Sequence, residues 1–281
     1  MTAGILIAQG KTKKIYDQGD DTVLIVSGDE ITAGDGAKQD SFDGKGVAST
    51  RTNTNVMTLL KAHGFPVAFI EQVDERTFRA QKCEMLPLEC VCRRIATGSW
   101  LQRNPEDVEG NVFSEPTFEL FFKDDAFRDP IVELSGVKGH GEEWSVFFAH
   151  APVQQEPNFV LAPQHACTLD GYYDRLKRQS IGVFLLLEMA FSFIEIGGEV
   201  PVLVDFKIEF GLTSDGDLVL ADVIDNDSWR VWKGGVKTGQ VDKQVFREIV
   251  GQMDPSQRQS LKNLFEDVAV ATDAFRTMSL S

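Results

Sequence analysis

Residues 202–232, VLVDFKIEFGLTSDGDLVLADVIDNDSWRVW, restrict the fold of this chain more than any other stretch. Asp205, Lys207 and Glu209 alternate with Phe206, Ile208 and Phe210, so a strand here has one charged and one apolar face. Asp215-Gly216 is a two-residue hairpin signal between this strand and the run after it. With those two residues as the turn, Glu209 falls directly opposite Asp222. Two carboxylates facing each other across strands are destabilising, and a divalent cation between them reverses the sign. Oxygen-only ligands favour Mg2+, which takes one or two carboxylates together with phosphate oxygens. A solvated strand face with an incidental acidic pair is the ordinary explanation of such a hairpin. Here Lys207 and the dense DNDSWR run beyond it turn the balance towards a metal–phosphate site.

The chain as a whole carries 28 Lys and Arg against 43 Asp and Glu, a formal charge of −15. A surface that acidic repels nucleic-acid phosphates and anionic lipid, so neither is an expected partner. Small anionic substrates stay open, because a pocket can invert the sign of its surroundings. At 281 residues and 42% hydrophobic, the chain suits one elaborated domain or two closely packed ones. Cys83, Cys90, Cys92 and Cys167 are too few and too unevenly spaced for a disulfide framework, and none pairs with a histidine at a zinc spacing. They read as buried or inert thiols of a reducing compartment. No targeting segment is visible at the N-terminus. The most apolar run, residues 181–196, is broken by Glu188 and falls short of the roughly 20 residues that span a bilayer, so it reads as a core helix. The expectation is a soluble, cytoplasmic protein.

Along the chain, residues 5–8 and 23–27 read as short strands separated by Gly and Asp turns. A helix is predicted over 50–63, stopped by Gly64 and Pro66, and more strand over 67–73 and 86–95. Residues 131–166 are rich in Gly, Pro and His with weak periodicity, and read as an irregular excursion. Helix returns over 169–196. A last helix is signalled by Asp254 as N-cap and Pro255 at its first position, with Leu261, Leu264, Phe265, Val268 and Phe275 along one stripe.

Three further motifs carry charge suited to anions. Gly10-Lys11-Thr12-Lys13-Lys14 is not a P-loop, since Ile5 stands where that motif needs its first glycine and no helix follows. A glycine turn between strands with Lys11 and Lys13 on one face can still cover a polyphosphate, although a solvated basic turn explains it equally well. Residues 32–38, TAGDGAK, form a glycine-rich turn whose amides can cradle an anion, or an ordinary hairpin turn. In ECVCRRIATGS (89–99), arginine followed by Thr-Gly-Ser is a plausible phosphate-monoester cradle. A structural salt bridge is the expected role of one arginine of the Arg93-Arg94 pair. Lys123-Asp124-Asp125, ending in Asp129-Pro130, adds another charged cluster.

In their order, GKTKKIYD, ITAGDGAK, ECVCRRIATGS, FELFFKDDAFRDP, VDFKIEFG and LADVIDNDSWRVW resemble the phosphoribosylaminoimidazole-succinocarboxamide synthase (SAICAR synthetase) family of purine biosynthesis, over about residues 10–232. The last two look like the versions in the animal bifunctional enzyme, whose second part is a carboxylase; a chain ending at Ser281 has no room for that part. The resemblance implies an α+β fold of two lobes: a β-rich, kinase-like N-terminal lobe over residues 1–84, and an ATP-grasp-related α/β lobe over 85–281. It implies an ATP-dependent ligase. ATP phosphorylates the carboxylate of carboxyaminoimidazole ribonucleotide (CAIR), and the amine of L-aspartate displaces phosphate.

Carried over by motif, Gly10, Lys11 and Lys13 would hold ATP phosphates, Glu84 and Met85 would meet the adenine, and Lys123 would lie on the nucleotide side. Glu209 and Asp222 would bind Mg2+ on ATP, and Glu89 and Asp129 a second Mg2+ at the CAIR carboxylate. Arg93, Ser99 and Arg230 would clamp the CAIR phosphate, with Asp205 on its ribose and Lys207 between the substrates. Asp35, Gly36 and Lys38 are candidates for the aspartate site. ATP supplies the activation, so no side-chain nucleophile is expected. Residues 136–163 match no family motif, and suggest an extra surface loop or an oligomer contact; a homo-oligomer stays open. The alternatives are a kinase-like phosphotransferase, which would need a catalytic-loop Asp and a separate Asp-Phe-Gly, and a non-catalytic nucleotide-binding protein, which would have lost part of this charged set.

Overall fold

The computed structural model describes residues 4–34, 36–136, 142–149, 152, 157–161 and 163–280. Five antiparallel strands open the chain's first sheet: β1 (Ile5–Gln9), β2 (Lys13–Asp17), β3 (Thr22–Ser27), β6 (Phe69–Gln72) and β7 (Thr77–Gln81), in the order β1-β2-β3-β7-β6. Between β3 and β6 come the small hairpin of β4 (Glu30–Ala33) and β5 (Lys38–Ser41), then helix α1 (Lys45–Ala62). The helix begins five residues before the predicted start. Gly44, at φ 87, opens it without a side-chain cap, so the usual N-terminal signal is missing. Most of its polar residues are buried, and several bond elsewhere in the chain: Thr50 Oγ1 to Ser27 Oγ at 2.9 Å, and Asn53 Oδ1 to the Ile224 N–H at 3.0 Å.

The larger, seven-stranded sheet is antiparallel throughout. It comprises β9 (Leu88–Ile95), β10 (Val112–Phe122), β11 (Ile131–Gly136), β12 (Glu142–Phe147), β13 (Phe159–Val160), β14 (Pro201–Ile208) and β17 (Trp229–Lys233), in the order β13-β12-β11-β10-β9-β14-β17. The expected irregular excursion at 131–166 is therefore corrected. Its alternation is masked by glycine and charge, yet it supplies three edge strands of this sheet. A third sheet of β8 (Glu84–Met85), β15 (Phe210–Leu212) and β16 (Leu218–Leu220) lies beside it, in the order β16-β15-β8. Short helix α2 (Ser99–Arg103) follows β9.

Long helix α3 (Pro163–Phe191) covers one face of the large sheet. Phe184 stacks on Phe206 at 5.3 Å, and Phe191 meets Trp229 edge-on at 5.2 Å. Cys90 and Cys92 of β9 are wholly buried in the same layer, and burial pushes the Cys90 thiol up to about 12, which makes it unreactive. Period-two alternation then aims Glu89, Val91, Arg93, Asp205 and Lys207 at the opposite face. Glu188, the one charge in the apolar run of α3, is held by both guanidinium arms of Arg94 at 2.6 and 2.8 Å. Arg94 is thus the structural member of its arginine pair.

Helix α4 (Gln244–Glu248) leads to α5 (Pro255–Ala271), which carries the expected cap: Asp254 accepts from the Gln257 N–H, and Gln257 returns the bond. Phe275 lies just past α5, in a 3-10 turn. Helix α5 packs on α1, sharing Phe42, Ala48, Leu261 and Phe265 in one hydrophobic cluster, so the two ends of the chain meet. Among the described residues no helix is long and apolar enough to cross a membrane.

Asp242 fastens the last crossing. Its carboxylate is fully buried and accepts the Val231 and Gln244 N–H groups at 2.9 and 2.7 Å. Burial pushes its pKa up to about 6, against the pull of those two bonds and Arg230. Between an unfolded value of about 3.9 and that pKa the native state keeps a proton the unfolded chain has lost, so stability falls as pH rises. Two units correspond to about 3 kcal/mol. The Asp242→Asn variant should therefore gain on the native protein by up to about that amount as urea unfolding is repeated from pH 4 to pH 7. A difference that stays constant across that range would contradict the assignment.

Candidate active site

Glu209 occupies the single position between β14 and β15, where the chain leaves the large sheet for the small one. The hairpin beyond it differs from the expected one. Thr213 bonds Asp217, leaving residues 214–216 as a three-residue loop closed by Gly216 at φ 82. Phe210 pairs with Leu220, and the Glu209 carbonyl accepts from Ala221, so the direct opposite of Glu209 is Ala221 and not Asp222. In a continuing strand that one-residue shift would turn Asp222 to the far face. But β16 stops at Leu220, and the chain bends at Asp222, whose Oδ1 accepts the Val223 N–H at 2.7 Å. The two carboxylates come together regardless. Burial, and after it the charge of Asp222, holds the Glu209 carboxyl above its ordinary range. Lys123 Nζ at 2.8 Å and Lys207 Nζ at 3.7 Å oppose the shift.

Lysines from distant parts of the chain converge on this acidic corner. Burial works against the charge on Lys13 of β2, yet Asp222, Asp225, Asp227 and Glu209 together raise its pKa. Lys45, at the start of α1 and 1% exposed, bonds Asp227 at 2.7 Å, and Lys243 lies 3.8 Å from the same carboxylate. Despite burial, these lysines hold Asp227 down at about 2. Asp225 is raised, by burial first and Asp227 second, and its Oδ2 is a buried oxygen without a hydrogen-bond partner. Lys207 Nζ pairs closely with Glu89. Burial would lower Lys207, but Glu89 and Glu209 raise it on balance.

At the other end, four adjacent strands and α2 carry a line of buried charge. Glu119 of β10 receives Arg103 of α2 on one oxygen and Arg93 Nε of β9 on the other, the latter at 2.6 Å. Arg93 Nη1 reaches Asp205 of β14, and Arg230 Nη1 of β17 meets the same Asp205 oxygen, both at 2.6 Å. Arg93, Asp205 and Arg230 are consecutive partners in the sheet register, so the strand pairing itself sets the alternation of sign. Ser99 Oγ is 3.4 Å from Arg93 Nη2. Gly98 has φ 60, and a Cβ there would stand 2.6 Å from Arg230, which explains the glycine in Thr-Gly-Ser. Three guanidinium groups face two carboxylates, an excess of one cation. Arg247 of α4 adds another, its charge disfavoured by burial and then by Arg230.

Between these ends lies a cleft of about 240 Å³. Glu89, Arg93, Ser99, Asp129, Asp205, Lys207 and Arg230 line it, as do Arg128, Asp227, Ser228 and Arg247, which sequence reasoning did not single out. The charge density of DNDSWR pointed to Asp227 and Ser228. Lys45 and Arg247 gave no signal, because each sits on a helix remote in sequence. Gly10, Lys11 and Lys13 line a separate groove between the first strands, open over Ser27 and Gly28. Glu84 and Met85 form β8, an exposed edge strand paired to β15. Asp129 Oδ1 accepts the Asp124 N–H at 2.9 Å. Gly36 lies beside Lys11. Lys38 Nζ is engaged by the Phe246 and Ile249 carbonyls and sits over the Phe246 ring at 4.3 Å. Asp35 lies outside the described residues. Among those residues no three His, Cys, Asp or Glu side chains form a metal cage; the Glu209–Asp222 pair instead has the two-carboxylate form that suits Mg2+ shared with phosphates.

Comparison with known proteins gives a consistent result. The SAICAR synthetase family profile matches residues 6–264. A phosphoribosylaminoimidazole-succinocarboxamide synthase of Herpetosiphon aurantiacus is 39% identical over 278 residues, 98% of this chain and 100% of that one. The human bifunctional phosphoribosylaminoimidazole carboxylase/phosphoribosylaminoimidazole succinocarboxamide synthetase is 38% identical, over 96% of this chain and 58% of its own length. Among solved structures, a SAICAR synthetase in complex with ADP superposes with a TM-score of 0.71 at 29% identity, over 93% of this chain and 96% of that one.

The charge line has a measurable cost of interruption. Glu119→Ala leaves Arg93 and Arg103 buried without their shared partner, and should lower the unfolding free energy by about 3–5 kcal/mol. A loss below about 1 kcal/mol in denaturant titration would mean that the pair behaves as a surface one.

Proposed function

This chain belongs to the SAICAR synthetase family, and on that footing we propose that it joins L-aspartate to the carboxylate of CAIR at the expense of ATP, giving SAICAR, ADP and phosphate. The observation that carries the proposal is the pairing of two unlike ends along one cleft: an excess of cation over carboxylate where Arg93 and Arg230 line it, and, next to its lining residues Lys207 and Asp227, a carboxylate–lysine corner at Glu209 and Asp222. The first is a seat for a phosphate monoester, since buried excess charge needs a counter-ion and arginine forks match phosphate. The second handles a polyphosphate. A kinase-like phosphotransferase would use the second and leave the first without a role.

In the first step an oxygen of the CAIR carboxylate attacks the γ-phosphorus, the bond to ADP breaks, and an acyl phosphate forms. In the second, the free amine of L-aspartate attacks the acyl carbon. The C–N bond forms, the acyl C–O bond breaks with its electron pair going to phosphate, and the amine loses a proton. Both steps crowd anions, whose repulsion in a poorly screened cleft amounts to several kcal/mol unless it is offset. Lys207 stands between the ends, reaching Glu89 and Glu209, and would neutralise the acyl phosphate. Lys13 and Lys123 approach the corner from the nucleotide side, with the Gly10–Lys11 turn over the phosphates and the edge of Glu84-Met85 against the adenine. Arg93, Ser99, Arg230 and Arg247 hold the CAIR phosphate, with Asp205 towards its ribose. Glu209 and Asp222 would hold Mg2+, which would offset phosphate charge there when bound; Glu89 and Asp129, both lining the cleft, would hold a second ion at the CAIR carboxylate. The reaction belongs in the cytoplasm.

Purified protein should release phosphate only when ATP, CAIR, L-aspartate and Mg2+ are all present. ATP hydrolysis indifferent to CAIR or aspartate would overturn the proposal. Asp222→Asn should lower turnover on the order of 10²–10³-fold with an unchanged urea midpoint; full activity would remove Asp222 from the metal site.

A further inference from the structure

The turn that carries Arg128 is closed in a way that ordinarily calls for glycine. After the 3-10 turn Asp125–Phe127, the Asp129 N–H bonds the Asp124 carbonyl at 3.1 Å, the six-to-one bond of a Schellman closure. In that closure the residue before Asp129 takes the left-handed conformation, and Arg128 does so at φ 55. Asp129 follows at φ 50, but it is compensated: its own carboxylate accepts the Asp124 N–H at 2.9 Å. Arg128 has no such compensation. Among the described residues no carboxylate lies within ion-pair distance of its guanidinium. The neighbouring ring of Phe127 stacks on Phe148, 13° from parallel, and fixes the turn against the end of β12. A side chain kept at a strained position, unpaired and lining the cleft, points to a task outside the fold.

The cleft's other arginines have places in the reading above. Arg93 and Arg230 share Asp205, and Arg247, which donates to Gln244 Oε1 at 3.2 Å and lies near Arg230, joins them at the CAIR phosphate. Arg128 instead adjoins Asp129, which lines the cleft with Glu89 and Lys207. The amine substrate of the proposed ligation brings two carboxylates of its own to an acyl phosphate. Each needs a cation, and an arginine fork matches a carboxylate with two parallel bonds. We propose that Arg128 receives a carboxylate of the incoming amino acid and so selects an acidic amine donor; this rests on the ligase reading above.

The test is steady-state kinetics on Arg128→Ala, Arg128→Gly and Arg128→Lys, varying each substrate in turn. The KM for L-aspartate should rise at least tenfold in the Ala and Gly variants and less in the Lys variant, with the KM values for ATP and CAIR within twofold of the native ones. The Gly variant should also unfold at higher urea than the native protein, because glycine relieves the backbone, so its weaker aspartate binding would not come from misfolding. An unchanged KM for aspartate overturns the inference. So does a rise confined to CAIR, which would make Arg128 part of the phosphate clamp, or a loss of stability in the Gly variant with all KM values raised, which would make it structural. Native protein with no aspartate-dependent phosphate release would instead refute the ligase reading, before any variant is made.

Discussion

Much of this structure is organised by an odd-numbered line of charges, four of them buried and the fifth, Arg230, half-buried at the cleft. Arg103, Glu119, Arg93, Asp205 and Arg230 alternate in sign across α2, β10, β9, β14 and β17, and they end on a cation. An even set would be a closed structural network that could be exchanged for apolar side chains at little cost. The odd set cannot close on itself. It needs an anion at its open end, and that end is the cleft. Strand register therefore does two jobs at once. It pairs Arg93 with Asp205 and Asp205 with Arg230, and in doing so it fixes two guanidinium groups at the cleft before any ligand arrives.

The acidic corner follows the opposite logic. Glu209, Asp222, Asp225 and Asp227 crowd together, and the lysines that balance them come from β2, α1, β14 and the approach to α4. Such a cluster is tolerable only when those elements are assembled. Lys45 can reach Asp227 only because α1 is buried between the first sheet and α5. Helix α1 is thus less a hydrophobic strut than a polar spacer, bonded to Ser27 on one side and to Ile224 on the other. Through α1 the first sheet is tied to the acidic corner by hydrogen bonds and an ion pair as well as by packing, so the geometry of the corner depends on the position of that sheet.

The alternation of residues 205–210 was enough to read a strand with one charged face, and Asp254-Pro255 enough to read a capped helix. Those are local signals. The hairpin was legible in kind but wrong by one residue, because Gly216 closes a three-residue loop where Asp215-Gly216 suggested two. Its consequence survived only because β16 ends early and the chain bends at Asp222. The strands of 131–160 were hidden by their glycines and charges, although each pairs with its neighbour in sequence, β11 with β10, β12 with β11 and β13 with β12. The buried role of Lys45 could not be read at all. Nothing near it in sequence is acidic at helical spacing, and its partner lies at position 227.

Cations and anions are therefore sorted by depth as well as by position. The formal charge of −15 belongs to the chain, but the cleft gathers Arg93, Arg230, Arg247, Arg128 and Lys207 around Asp205, Glu89, Asp129 and Asp227. A uniformly basic protein would hold its anionic substrates anywhere on its surface. An acidic one disfavours them over much of its surface and favours them where cations locally exceed their partners, as beside Arg93 and Arg230. The same sorting separates the two phosphates. A monoester is best met by fixed guanidinium forks, and a polyphosphate by carboxylates that can share a metal ion and by lysines that can follow the charge as it moves. In the proposed reaction, with arginine at one end of the cleft and lysine with carboxylate at the other, each ligand goes to its own end and the acyl group forms between them, beside Lys207.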